Sequence, residues 1–276
     1  MGTLVGVTLY ARTAAEAQAA FGRAFSRIAA LNRILSDYEP ESELNHLGTM
    51  PRLVSAELYT VLRFAKGLSE ASGGAFDVTI GPLTRLWRKR APMTEQARAL
   101  VDWRELHLER GRAWLGRAGM RLDLGAVGKG YAADEMLRAI GSSGISRVLI
   151  AASGDIVCGD APPGQKGWTV AAAGQRLTLR RAAVSTSGDT TQFFERDGRR
   201  YSHIIDPRKG VSLPDVLEVS IVAPNGMTAD ALTTTVRVMG VDAAAEVLRK
   251  YRGKLVSGGH PLARLNRNWQ NIPPRR

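Results

Sequence analysis

The chain has 276 residues, 44% hydrophobic and 23% charged, which is apolar enough to bury a sizeable core as one domain or two interleaved lobes. Its single cysteine, Cys158, excludes an internal disulfide; Cys/His zinc spacing is absent, and no apolar run reaches the roughly 18 to 20 residues of a membrane span. The formal charge of +12 raises a nucleic-acid reading, but the basic residues fall in scattered groups (Arg85/Arg88/Lys89/Arg90, Arg196/Arg199/Arg200, Arg264/Arg267/Arg275/Arg276) without any helix-turn-helix, RNA-recognition or zinc-finger signature, so no nucleic-acid partner is expected.

From the N-terminus, Val5 to Tyr10 alternates with the period of a strand. Thr13 and Glu16 have capping-box spacing and open a helix predicted from Ala14 to about Leu35, with Ala17, Ala20, Phe21, Ala24, Ile28, Leu31 and Leu35 on its core face. A second helix is expected at about Ala56 to Ser72, stopped by Gly73-Gly74, and a third at Thr94 to Val101. Strands are expected at 105–109, 112–116, 120–124, 146–151, 168–173, 176–180, 183–186, 201–205 and 216–223, and further helices at 129–140, 228–239 and 242–251. Hairpin-like strand runs interrupted by helices predict an α+β fold of mixed, largely antiparallel sheets with flanking helices, not a doubly wound parallel sheet.

Three segments carry candidate chemistry. Asp230 and Thr234 stand four residues apart in the first turns of the 228–239 helix, so both oxygens share one face. Two hard oxygen ligands suit Mg²⁺, which takes its remaining ligands from water and phosphates, although Asp and Thr near a helix start also serve as caps and solvated positions. Asp123 to Asp134 reads as a short apolar strand, a glycine-rich turn and a helix from about Lys129; helix-start N–H groups beside a lysine make an anion site. The segment has neither Walker nor dinucleotide-binding spacing, so a plain tight turn is the alternative. Tyr201 to Gly210 runs from a strand into an Asp-Pro-x-x-Gly turn, and His203 within it is either a hydrogen-bonded strand histidine or a proton acceptor near neutral pH.

Together and in order, these segments resemble the FAD:protein FMN transferases of the ApbE type over nearly the whole chain. Met1-Gly2-Thr3, the Leu35 to Leu44 loop, Gly74 to Leu83 with Trp87, Ser153-Gly154-Asp155-Ile156, Val184 to Asp189, His203 to Gly210 and Ala229 to Thr234 are similar to the family's motifs and keep their order. The resemblance implies an ApbE/T-fold-like architecture, FAD as substrate and Mg²⁺ or Mn²⁺ as cofactor. It also implies a partner, an acceptor flavoprotein subunit whose Thr or Ser receives FMN through a phosphoester bond as AMP leaves. Metal contacts are implied for Asp230, Thr234 and the Gly128 carbonyl. FAD contacts are implied for Met1, Tyr38, Asp77, Asp123, Lys129, Gly154, Asp155, Thr186, Ser187 and His203, with Tyr38 against the isoalloxazine ring. Lys129 is then a fixed positive charge beside the phosphates, His203 the general base, and Asp189 the alternative base or an orienting group. A protein that binds FAD or hydrolyses it to FMN and AMP would share all of these residues.

Three positions depart from the family pattern. Ser153 stands for a usual glycine, Gly48 for a usual asparagine, and Gly128 for a usual alanine whose implied contribution is a carbonyl that any side chain leaves in place. The chain opens at the Met-Gly-Thr motif without a signal-peptide pattern, so a cytoplasmic location is expected from the residues as they stand, and a periplasmic or inner-membrane-anchored one if an upstream segment precedes them.

Overall fold

The computed structural model describes residues 4–188, 193–214 and 218–256. In chain order the elements are β1 (Val5–Leu9), α1 (Ala14–Leu35), β2 (Arg52–Leu53), α2 (Ala56–Ala71), α3 (Gly81–Arg88), α4 (Glu95–Arg98), β3 (Leu106–Glu109), β4 (Arg112–Leu115), α5 (Gly128–Gly141), β5 (Val148–Ala152), β6 (Asp155–Cys158), β7 (Trp168–Ala172), β8 (Gln175–Leu179), β9 (Ala182–Ser187), β10 (Phe193–Arg196), β11 (Arg199–Ser202), β12 (Ile205–Asp206), β13 (Val211–Ser212), β14 (Val219–Ala223), α6 (Gly226–Met239), α7 (Ala245–Lys250) and β15 (Lys254–Val256). Six strands form one antiparallel sheet in the order β1-β5-β6-β9-β14-β15; β2-β4-β3 form a second, and β7-β8, β10-β11 and β12-β13 are hairpins. This is the α+β arrangement expected from the hairpin-and-helix pattern. Among the described residues no helix is long and apolar enough to cross a membrane.

Strand alternation explains how the large sheet is covered. Val7, Val148, Ile150, Val157 and Ala183 point to one face and pack on Ala20 and Ala24 of α1 and on Ala133, Met136 and Ile140 of α5. Residues of opposite parity, Ile156, Cys158, Val184 and Val222, meet Trp168, Val170 and Leu179 of the β7-β8 hairpin on the other face. A third cluster joins α2 to the small sheet and α6 through Leu58, Leu62, Leu68, Leu106, Leu115 and Leu232. Thr13 caps α1 as its spacing predicts, its hydroxyl accepting from Glu16 N at 3.2 Å, while the Glu16 carboxylate accepts from Arg12 N.

Several local expectations are corrected. Residues 120–124 form no ladder strand: Arg121 makes one isolated parallel bridge to Ile80, and the pairing stops where Pro82, which has no N–H to donate, opens α3. The expected 94–101 helix shrinks to the single turn of α4, capped by the Thr94 hydroxyl. The expected 201–205 strand is broken at His203, because the Ser202 hydroxyl accepts the Ile204 N–H at 3.1 Å and removes it from the ladder. Helix α3 and strands β2, β6, β10, β13 and β15 have no counterpart among the expected elements.

Candidate active site

The site is built where α5 and α6 cross. Gly130 in the first turn of α5 lies so close to Gly226 at the start of α6 that an added Cβ would stand 2.1 Å from the Gly226 carbonyl oxygen, and a Cβ on Gly226 would stand 2.5 Å from the Gly130 oxygen. Only glycine at both positions permits this approach. It brings Asp230, 4% exposed, against the start of α5, where its Oδ2 accepts the Gly130 N–H at 3.0 Å. Lys129 Nζ lies 3.0 and 3.3 Å from the two Asp230 oxygens and donates to the Gly125 carbonyl at 2.9 Å. Thr234 follows one turn on and is the only residue between Thr228 and Val238 that is not buried. The Asp134 carboxylate anchors the crossing from behind by accepting Gly226 N at 2.7 Å and Met227 N at 2.9 Å.

The large sheet supplies the second carboxylate. The two-residue connection Ser153-Gly154 joins β5 to β6 and delivers Asp155, 2% exposed, beside Ser185 of β9, whose hydroxyl donates to Asp155 Oδ1. Asp155 Oδ2 is buried, has no hydrogen-bond partner, and stands 3.6 Å from Lys129 Nζ. Burial, and then the charge of Asp230, push the Asp155 carboxyl up to about 7. Burial alone would lower the Lys129 ammonium, but Asp230 and Asp155 outweigh it and hold it above its ordinary value. A Cβ on Gly154 would meet the Thr186 carbonyl oxygen at 2.5 Å, so glycine is required there. One residue from Ser185, the Thr186 side chain takes the opposite sheet face, where its hydroxyl pairs with Ser220 Oγ at 2.7 Å. Ser187 shares the Ser185 face and is half-buried.

Helix α3 organises a second wall. At its end, Arg88 pairs with Asp37 Oδ2 and, at 2.7 Å, with Asp123 Oδ2, while its guanidinium carbon lies 4.0 Å from the centre of the Tyr38 ring. Tyr38 is 69% exposed. Its loop is pinned by Asn45, whose side-chain amide donates to Glu39 O at 2.8 Å and Asp37 O at 3.1 Å. Trp87, the preceding residue of α3, faces the half-buried His203 edge-on with ring centres 6.3 Å apart and contacts Phe194 at 5.7 Å. Asp123 Oδ1 accepts Gly125 N at 2.8 Å and so shapes the glycine-rich turn. Asp77 is committed locally, accepting from Thr79 N, Thr79 Oγ1 and Trp103 N, and burial pushes its carboxyl up to about 6.

The structure thus gathers Lys129, Asp155 and Asp230 at one point, and sets Tyr38 and Asp123 on the wall that Arg88 braces; Gly128 precedes Lys129 on α5 and Thr234 follows Asp230 by one turn on α6. Met1 and Asp189 lie outside the described residues. Arg88 and Asn45 escaped the sequence reading; the signal for the helix bearing Arg88 was Pro82 at a helix start followed by Leu83, Leu86 and Trp87 at helical spacing.

The donor set fits a hard divalent cation. Two carboxylates share one ammonium and one carboxylate oxygen is an orphan, while Thr234 stands one helical turn beyond Asp230 and Gly128 immediately precedes Lys129, each bringing a further oxygen donor. Among the described residues no three His, Cys, Asp or Glu side chains converge, so the shell of such an ion would be completed by substrate and water.

Fold and site define an α+β protein whose charged centre, at the start of two crossing helices, is equipped for a phosphate-bearing ligand. Residues 1–256 match the ApbE family, and the chain belongs to it. It is 34% identical to the FAD:protein FMN transferase of Treponema pallidum, over 92% of this chain and 80% of that one, and 32% identical to the protein of the same name from Klebsiella pneumoniae, over 91% and 79%. The flavin transferase ApbE of Vibrio cholerae superposes with a TM-score of 0.80 at 26% identity, over 92% of this chain and 89% of that chain.

Proposed function

We propose that this chain is a flavin transferase that cleaves FAD and attaches FMN to a Thr or Ser hydroxyl of an acceptor protein, releasing AMP. The observation that carries the reading is the convergence of Lys129, Asp155 and Asp230 on one point within a chain of this family. In the reaction the acceptor oxygen bonds to the FMN phosphorus, the bond from that phosphorus to the bridging oxygen breaks, and the hydroxyl proton passes to a base. Such displacements depend on positioning and charge neutralisation. Mg²⁺, held by Asp230, Thr234 and the Gly128 carbonyl, would supply positive charge to the pyrophosphate oxygens. Lys129 adds a fixed cation at the same place. His203 is the base in this scheme, with Asp189 the alternative, and Tyr38 offers its open face to the flavin.

Incubation with Mg²⁺, FAD and an acceptor peptide bearing an acidic residue followed by Gly-Ala-Thr or Gly-Ala-Ser tests the proposal. AMP release with covalent flavin fluorescence on the peptide is the expected result. AMP and free FMN without labelling would make the chain an FAD pyrophosphatase, and absence of AMP would overturn both readings.

A further inference from the structure

The end of α3 contains an arrangement that the transfer chemistry does not call for. The Arg88 guanidinium covers one face of the Tyr38 ring and leaves the other open, while the same group forks to Asp37 and Asp123. Asp123 in turn accepts Gly125 N, and the Gly125 carbonyl accepts Lys129 Nζ. An unbroken series of contacts therefore runs from an exposed aromatic ring to the charged centre. We propose that Arg88 is a positioning residue that fixes Tyr38 as a platform for the tricyclic half of FAD and sets its place relative to the pyrophosphate site.

The proposal rests on the flavin-transferase reading and adds to it a determinant of selectivity for a flavin over other adenine dinucleotides and ADP. An exposed tyrosine on a loop is free to sample rotamers and loses that freedom when a ligand stacks on it, so a ring already held from behind binds more tightly. A planar guanidinium can stack on a ring and bond two carboxylates along its edges at once; an ammonium cannot do both. Asp37 and Asp123 therefore give Arg88 a fixed orientation, and burial, then the charge of Asp123, raise the Asp37 carboxyl, which marks how closely the two acids are set.

Arg88→Lys keeps a positive charge between Asp37 and Asp123 and serves as the variant that folds; Arg88→Met removes charge and stack together. Titrations of the full chain with FAD and with ADP, in Mg²⁺, are read beside flavin fluorescence quenching and melting temperature. FAD affinity should fall about threefold in Arg88→Lys and about tenfold in Arg88→Met, with weaker quenching, while ADP affinity stays within about twofold. In a Tyr38→Ala background Arg88→Lys should cost no further FAD affinity. Unchanged FAD binding in Arg88→Lys, or parallel losses for FAD and ADP, would overturn the proposal; failure of the unmodified chain to bind FAD would instead sink the functional reading beneath it.

Discussion

The Asp230 carboxylate is placed by two neighbours, Gly130 N and Lys129 Nζ, the latter within reach of both its oxygens. Asp230→Asn keeps the shape and an acceptor for Gly130 N, and Lys129 keeps Asp155, so the fold should persist while the charge that a divalent cation needs is lost. Mg²⁺-dependent AMP release should fall to background, and calorimetry should show Mg²⁺ affinity lowered at least about tenfold; Thr234→Ala should be milder, since water replaces a neutral hydroxyl ligand. Full turnover of Asp230→Asn at low Mg²⁺ would place the metal elsewhere. Ser153 makes a different kind of residue-scale case. Its φ of +56° lies in the left-handed region at the first position of the tight β5-β6 connection, where glycine is favoured, which gives the family's usual glycine a steric reason. Ser153→Gly should stabilise the chain by about 0.5–1 kcal/mol in urea titrations, and a loss of stability would mean that the serine side chain contributes more than the strain costs.

The crossing of α5 and α6 shows what an element-scale contact demands. A methyl on Gly130 would meet the Gly226 backbone at 2.1 Å and Asp230 Cβ at 2.8 Å, whereas one on Gly128 would find only Leu124 Cβ at 3.7 Å, an ordinary contact. Gly130→Ala should therefore cost about 3 kcal/mol or more and displace Asp230, while Gly128→Ala, the family's usual residue, should stay within about 0.5 kcal/mol of the parent. Similar stabilities for the two variants would show that the helices can part without loss. The elements themselves were largely legible: the cap at Thr13 and the apolar stripe to Leu35 gave α1 its bounds, and α6 was expected two residues short of its true start at Gly226. Helix α3 is masked by its Gly-Pro opening, which reads as a loop and outweighs the helical spacing of Leu83, Leu86 and Trp87; here that pair starts the helix, with Gly81 against the Arg121 backbone. Among site residues, Asp230 and Lys129 were visible from helix spacing and a glycine-rich turn. The link from Arg88 to Tyr38 spans distant segments, and no periodicity reports it.

At the scale of the whole molecule, carboxylates withdrawn from water, Asp77 and Asp155 buried and Asp134 half-buried, shape the response to pH. Burial is the leading cause at Asp77, Asp134 and Asp155, raised to about 6, about 6 and about 7, and it outweighs the hydrogen bonds each accepts. Asp160 runs the other way: the Arg181 hydrogen bond leads in lowering it to about 2, so its contribution is present above about 4 and lost as pH falls through about 2. A raised carboxyl binds its proton more tightly in the folded chain than in the unfolded one. Its contribution is therefore greatest below the unfolded value of 3.8, declines as pH rises through the folded value, and is constant above it. Asp134 offers a test, since burial leads its shift and its carboxylate accepts hydrogen bonds from Gly226 N and Met227 N. Asp134→Asn, which keeps one acceptor and cannot ionise, should gain on the parent by on the order of 3 kcal/mol as pH rises from about 4 to above about 6, about two pKa units at 1.36 kcal/mol each. Urea titrations of both proteins at intervals between pH 4 and pH 8 measure this difference directly. A difference independent of pH would mean that the two N–H bonds from Gly226 and Met227 compensate the half-buried charge in full, and that the carboxylate is ionised in the fold at no cost.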